Sequence, residues 1–230
     1  MNYAIIAATI AVWVRVQGAG ADPVTLATTI CNFGLVPGEL THVAPVGLSV
    51  PLGYGLGCAV DHNAVNILTP LLSIFLHGSW AHLLGNMLFL WVFGRNIEDR
   101  MGHFSYLVFY LICGVVACLA QIASGPGSPV PTVGASGAIS GIMGAFLLLY
   151  PNVRVKMFFI VFLVNVRAWM VLIYWFLLQL FEGIATAGTM GSEMSGGVAV
   201  WAHVGGFVTG VLLVTRFTSR RAVAQPDVRG

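Results

Sequence analysis

Six apolar stretches, each near the length of a bilayer crossing, leave this chain few ways to fold. They cover about Tyr3–Ala21, Leu71–Gly94, Phe104–Ala123, Val133–Tyr150, Arg167–Ala187 and Val198–Thr215. A helix needs about 20 residues to cross ~30 Å of hydrocarbon. Lipid offers no partners to backbone N–H and C=O groups, so a crossing segment satisfies its own, as a helix does. The short alternating segments of a transmembrane barrel are absent. The chain is 58% hydrophobic and 8% charged, against about 25% charged in a soluble domain. The expectation is an all-α membrane protein, a bundle of six transmembrane helices forming a single domain over residues 1–230. Its core spans about residues 71–215, after a long loop over about 21–70. Residues 221–230 read as a disordered end. Tyr3–Val14 lacks the basic flank and cleavage site of a signal peptide. It therefore reads as the first span, with Arg15 snorkelling towards an interface.

Where the charges fall sets the expected orientation. Arg95 and Arg100 follow the second span, Arg154 and Lys156 the fourth, and Arg216, Arg220, Arg221 and Arg229 the sixth. Arg167 opens the fifth. The loops after spans one, three and five carry no Lys or Arg. The positive-inside rule then puts both ends in the cytoplasm of a multi-pass protein, with the plasma membrane as its bilayer. Residues 21–70 become external, and they are apolar enough to lie partly in the interface. A net charge of +2 gives no reason to expect a nucleic-acid partner. Cys113 and Cys118 read as packing residues. Cys31 and Cys58 lie in the external loop, where an oxidising compartment permits a disulfide; whether they pair is open at this stage. No cysteine–histidine spacing resembles a metal site.

A few polar side chains interrupt the spans, and such groups mark cavities or chemistry. Helix rise puts Ser136 ~21 Å, and His203 and His82 each ~20 Å, above the cytoplasmic ends of their spans, with Asn86 near ~14 Å. Three spans thus bring polar groups to one level, about 10 Å below the outer surface. Span four is short and follows the Gly- and Pro-rich Ser124–Pro131 stretch, which leaves room for a hydrated pit above it. Gly137, Gly141 and Ala145, and likewise Gly206 and Gly210, recur every four residues and permit close helix crossing. These features suggest Ser136 as nucleophile and His203 as its base. The Ser136 N–H, His82 and Asn86 are the expected oxyanion donors. No Asp or Glu shares the depth of His203, and Glu182 falls towards the external end, so a Ser–His dyad is expected.

These residues resemble those of the rhomboid family of intramembrane serine proteases. The likeness runs from about Leu71 to Thr215. It rests on His77 and His82 in His-Gly-Ser-Trp-Ala-His-Leu-Leu-Gly-Asn, on Glu98-Asp99-Arg100, on Gly134-Ala135-Ser136-Gly137 and on Ala202-His203-Val204-Gly205-Gly206. The resemblance implies a six-helix rhomboid-like bundle that cleaves single-span transmembrane protein substrates near the outer face. It implies Ser136 and His203 as the reacting pair, His82 and Asn86 at the oxyanion site, and no metal or cofactor. Ser140, one turn deeper than the motif serine, is a rival nucleophile only on paper. His77 takes a structural role, and Glu98 with Arg100 a solvated ion pair. The chain lacks the Trp-Arg pair that many members carry after span one; it also lacks the aromatic ring that some carry at the position of Ser140, beneath the imidazole, so the ring that orients His203 in those members has no counterpart here. Trp169, Trp175 and Phe176 read as lipid-facing aromatics, with lateral substrate entry as the other reading. Met190–Gly197 reads equally as a lid or a connector. Two rival functions remain at this stage. One is a catalytically silent binder of membrane helices. The other is a proton-relay transporter, which would favour acidic pairs and an internal repeat.

Overall fold

The short helix at the centre organises the rest. In the computed structural model, which describes residues 1–61, 63–159, 162–186 and 199–218, α7 spans Ser136–Leu149, with Gly137 through Phe146 all buried. Its 14 residues rise only ~21 Å, less than the ~30 Å of a hydrocarbon core. Around it stand α5 (Trp80–Met101), α6 (His103–Ser124), α8 (Ala168–Thr186) and α9 (Val200–Phe217). Among the described residues, α6, α8 and α9 are each long and apolar enough to cross a membrane. A fourth crossing forms if residues 66–75 and α5, bent by 75° at a short break, count as one span. That break corrects the expected continuous Leu71–Gly94 helix. Gly78 interrupts the run, and Ser79 restarts it by accepting the His82 N–H at 3.1 Å. The first helix, α1 (Asn2–Arg15), is shorter than the expected Tyr3–Ala21, because Gly18, Ala19 and Gly20 take positive φ angles and end it.

The smallest residues permit the tightest contacts. A Cβ on Gly206 would lie 2.0 Å from the Gly137 carbonyl oxygen, and one on Gly210 would lie 1.9 Å from that of Gly141. Helices α7 and α9 therefore cross backbone against backbone. On the other side Gly137 meets Ala117, and Gly141 meets Cys113, both on α6. Tyr106, Phe109, Tyr110 and Phe146 fill the space below.

At the far end, α1 inserts Asn2 beside Gly94, where any Cβ would clash with its side chain. Its amide donates to Leu90 O at 3.1 Å and accepts from the Tyr106 hydroxyl at 2.7 Å. Glu98 lies in the last turn of α5 and is buried. It accepts the Asn2 N–H at 2.8 Å and contacts the Met1 amino group and His103. The solvated ion pair expected of Glu98 is thereby corrected: its carboxylate joins α1 to the α5–α6 corner.

Residues 21–70 form an ordered cap. Asp22 caps α2 (Pro23–Phe33), accepting the N–H groups of Val24 and Thr25. Those hydrogen bonds, from the Thr25 hydroxyl first, hold its carboxyl below the usual range. The one-turn α3 (Pro37–Leu40) follows, then a hairpin of β1 (Ser49–Gly53) and β2 (Leu56–Ala59), and the one-turn α4 (Thr69–Leu72). Cys31 and Cys58 are joined by a disulfide that ties α2 to β2. Glu39 is buried and accepts the Asp61 N–H at 3.1 Å; desolvation pushes its carboxyl above the usual range. The cap grips the loop before α7. Leu35 and Thr132 exchange both backbone hydrogen bonds, at 2.9 and 2.7 Å, and Gly38 N–H donates to Ser128 O at 2.8 Å.

A second hairpin departs from the all-α expectation. Strands β3 (Arg154–Phe159) and β4 (Phe162–Arg167) pair antiparallel from Arg154 opposite Arg167. Val155, Val164 and Val166 supply the branched residues that favour strands. Arg220, Arg221 and Arg229, the Met190–Gly197 segment and the expected disordered end at 221–230 lie outside the described residues.

Candidate active site

Ser136 opens α7 because the backbone before it turns sharply. Gly134 has φ +131, which side-chain-bearing residues rarely adopt. A Cβ there would also lie 2.8 Å from His82 Nε2. The glycine is thus required twice, and it brings the His82 ring against the chain two residues before Ser136. The Gly134 N–H donates to Ser73 O at 2.9 Å, which fixes the turn's depth.

His203 lies in the first turn of α9, buried. The α9 start is held by Gln121 of α6, whose Oε1 accepts the Ala202 N–H at 3.3 Å. The His203 ring faces α7, and its Nε2 stands 2.8 Å from Ser136 Oγ. Two side chains 67 residues apart in sequence therefore share a hydrogen bond between different helices. Ser136 itself is half-buried. Ser140 is buried, and its hydroxyl donates to the Ser136 carbonyl at 2.7 Å. That bond engages its hydroxyl within its own helix.

Of the other predicted residues, Asn86 is buried on α5. Its Nδ2 donates to His77 Nε2 at 2.9 Å rather than contacting Ser136. His82 packs edge-on against His77, with ring centroids 5.0 Å apart. His77 is wholly buried. Gln17 clamps its backbone from the end of α1: Oε1 accepts the His77 N–H at 2.9 Å and Nε2 donates to His77 O at 2.7 Å. The sequence reading did not single out Gln17. It stands among glycines and alanines with no periodic signal.

Two more residues escaped the sequence reading in part or whole. Gln179 on α8 places Oε1 2.6 Å from His203 Nδ1. Trp175, one turn earlier on the same face, sets its ring 5.7 Å from that of His203 and also packs on Phe207. Phe176 stacks on Phe207 at 4.7 Å. The lipid-facing reading of Trp175 and Phe176 is corrected, whereas Trp169 is exposed. The available signal was an amide inside an apolar helix, which needs an internal partner. Among the described residues no group of three or more His, Cys, Asp or Glu could hold a metal ion.

Comparison with known proteins matches the rhomboid domain to residues 64–220. The chain belongs to the rhomboid family. With its apolar helices, this makes it a multi-pass integral membrane protein. It is 41% identical over 92 residues to the rhomboid protease GluP of Bacillus subtilis, covering 40% of this chain and 17% of that protein. It is 39% identical over 75 residues to the chloroplastic rhomboid-like protein 11 of Arabidopsis thaliana, covering 33% and 26%. With the mitochondrial rhomboid protein 1 of Saccharomyces cerevisiae the identity is 28% over 150 residues, covering 61% and 39%. The chain thus spans well under half the length of these relatives.

Proposed function

We propose that this rhomboid is an intramembrane serine endopeptidase that cleaves the transmembrane helices of single-span protein substrates near the outer face. The observation that carries the reading is the 2.8 Å contact between Ser136 Oγ and His203 Nε2. At that distance His203 Nε2 takes the hydroxyl proton as Oγ bonds the substrate carbonyl carbon. The carbonyl π pair moves onto oxygen. The Ser136 N–H, one of the donors that the first turn of a helix leaves unpaired, receives this oxyanion together with His82 and Asn86. Collapse breaks the C–N bond, the proton on Nε2 passes to the leaving nitrogen, and an acyl-enzyme remains. Water entering the pit above α7 repeats the sequence and frees Ser136. Asn86 serves as donor through its second amide hydrogen, because His77 holds the first.

The same reading takes α1, α5, α6, α7, α8 and α9 as six crossings of one domain over residues 1–230. The shortness of α7 then creates the pit. It places both ends of the chain in the cytoplasm and residues 21–70 outside the plasma membrane. The Cys31–Cys58 disulfide supports that side as the oxidising one. In proteoliposomes, a fluorophosphonate probe is expected to label the wild type and not Ser136→Ala, and only the wild type should cleave a reporter transmembrane helix. Labelling that persists in Ser136→Ala refutes the nucleophile. Normal folding without labelling or cleavage in the wild type returns the chain to the silent-binder reading.

A further inference from the structure

We infer that Gln179 is the positioning residue of the His203 imidazole, setting the tautomer in which Nε2 is free to take a proton. The inference rests on the reading of Ser136 and His203 as the reacting pair. A neutral imidazole carries one ring hydrogen, so its two nitrogens are one donor and one acceptor. Both nitrogens of His203 are engaged. Nε2 faces Ser136 Oγ at 2.8 Å and Nδ1 faces Gln179 Oε1 at 2.6 Å. An amide oxygen can only accept, so Nδ1 must be the nitrogen that carries hydrogen. Nε2 is then left with its lone pair towards the Ser136 hydroxyl, which donates to it.

The opposite tautomer would put a hydrogen between Nε2 and Oγ and set the Nδ1 lone pair against the Oε1 lone pairs. The buried ring has few other partners, and an unsatisfied pair of this kind costs about 1–3 kcal/mol. Once Nε2 takes the serine proton, both nitrogens carry hydrogen, and Oε1 still accepts from Nδ1. The same contact therefore suits the base before and after transfer. The Trp175 ring closes one side of the imidazole, one turn from Gln179. Both residues belong to α8, so the imidazole is correctly oriented only while α8 packs on α9. The pair is thus completed by a neutral amide where a Ser-His-Asp triad uses a carboxylate.

The experiment compares Gln179→Met and Gln179→Glu with the wild type in proteoliposomes. It reads kcat and KM on a reporter helix, the rate constant of labelling by a small fluorophosphonate, and the melting temperature. Met keeps the length and removes the acceptor, and Glu keeps an acceptor oxygen at the same reach. The expected result for Gln179→Met is a drop of about 10–100-fold in kcat and in labelling rate, with KM unchanged. Gln179→Glu should stay within about threefold of the wild type. Wild-type kcat in Gln179→Met overturns the inference. So does a Gln179→Glu variant that melts normally yet is as slow as Gln179→Met, or slower. If Gln179→Met fails to fold, the folded Gln179→Glu variant decides against the wild type: kcat and labelling rate within about threefold support the inference, and a drop of about tenfold or more overturns it. Activity retained by Ser136→Ala would instead sink the underlying reading, so the two failures are distinct.

Discussion

Replacing Gly206 by alanine tests the backbone crossing that brings Ser136 and His203 together. The added Cβ would lie 2.0 Å from Gly137 O, and ordinary contact starts near 3.4 Å. Neither atom belongs to a flexible side chain, so α7 and α9 must part by about 1.4 Å. Ser136 precedes Gly137 directly, and His203 stands one turn before Gly206 on the same helix. If the separation passes along their line, the 2.8 Å contact opens to about 4 Å, beyond hydrogen-bond range. A misplacement near 1 Å costs about 100-fold in rate, and overpacking costs about 1–3 kcal/mol of stability. Cleavage of a reporter helix and thermal melting, both in proteoliposomes, read the two effects. Gly85→Ala is the control, because a Cβ there meets nothing within 4 Å; it should retain activity. A Gly206→Ala variant with wild-type kcat, or an equal loss in Gly85→Ala, would refute the account.

Three further outcomes follow from the same geometry. Gly134→Ala faces both a positive φ of +131 and a Cβ 2.8 Å from His82; it should lose most of its turnover and about 1–3 kcal/mol of stability, read by the same two assays. Gln17→Leu strips both side-chain hydrogen bonds from the buried His77 backbone. A loss of about 2–4 kcal/mol is expected, and an unchanged denaturation midpoint would contradict the clamp. Glu39 has a folded-state carboxyl raised by burial, so its stabilising share is present in acid and fades as pH rises through that raised value. Glu39→Gln keeps an acceptor for the Asp61 N–H. Melting curves at acid and neutral pH should show it more stable than the wild type only at neutral pH.

Much of the site was legible because lipid makes polar side chains conspicuous. Ser136 and His203 stood out against apolar neighbours, and counting rise per residue from the charged ends placed them at one depth. The glycines at four-residue spacing announced a close crossing. Gln179 is inconspicuous for the opposite reason: it carries no charge, and one amide in an apolar helix has no spacing that ties it to His203. The β3–β4 hairpin lies in what reads as the loop between spans four and five, where Arg154 and Lys156 mark the side of the membrane and no turn signal marks a strand pair. Glu98 was read as solvated because helix-end charges usually are, and only the fold brings Asn2 and His103 to it.

The amino-acid sequence alone determined the solvent, the helical class and the family, because apolar length and motif order are properties of the chain in one dimension. It also put Ser136 and His203 forward as a pair. The tertiary structure decided which atoms meet. Hydrogen bonds act over about 3 Å, a distance no spacing rule resolves between helices. The Ser136–His203 contact, the Gln179 acceptor, the His77–Asn86 bond and the grip of the cap on the loop before Ser136 all exist only once the helices have packed.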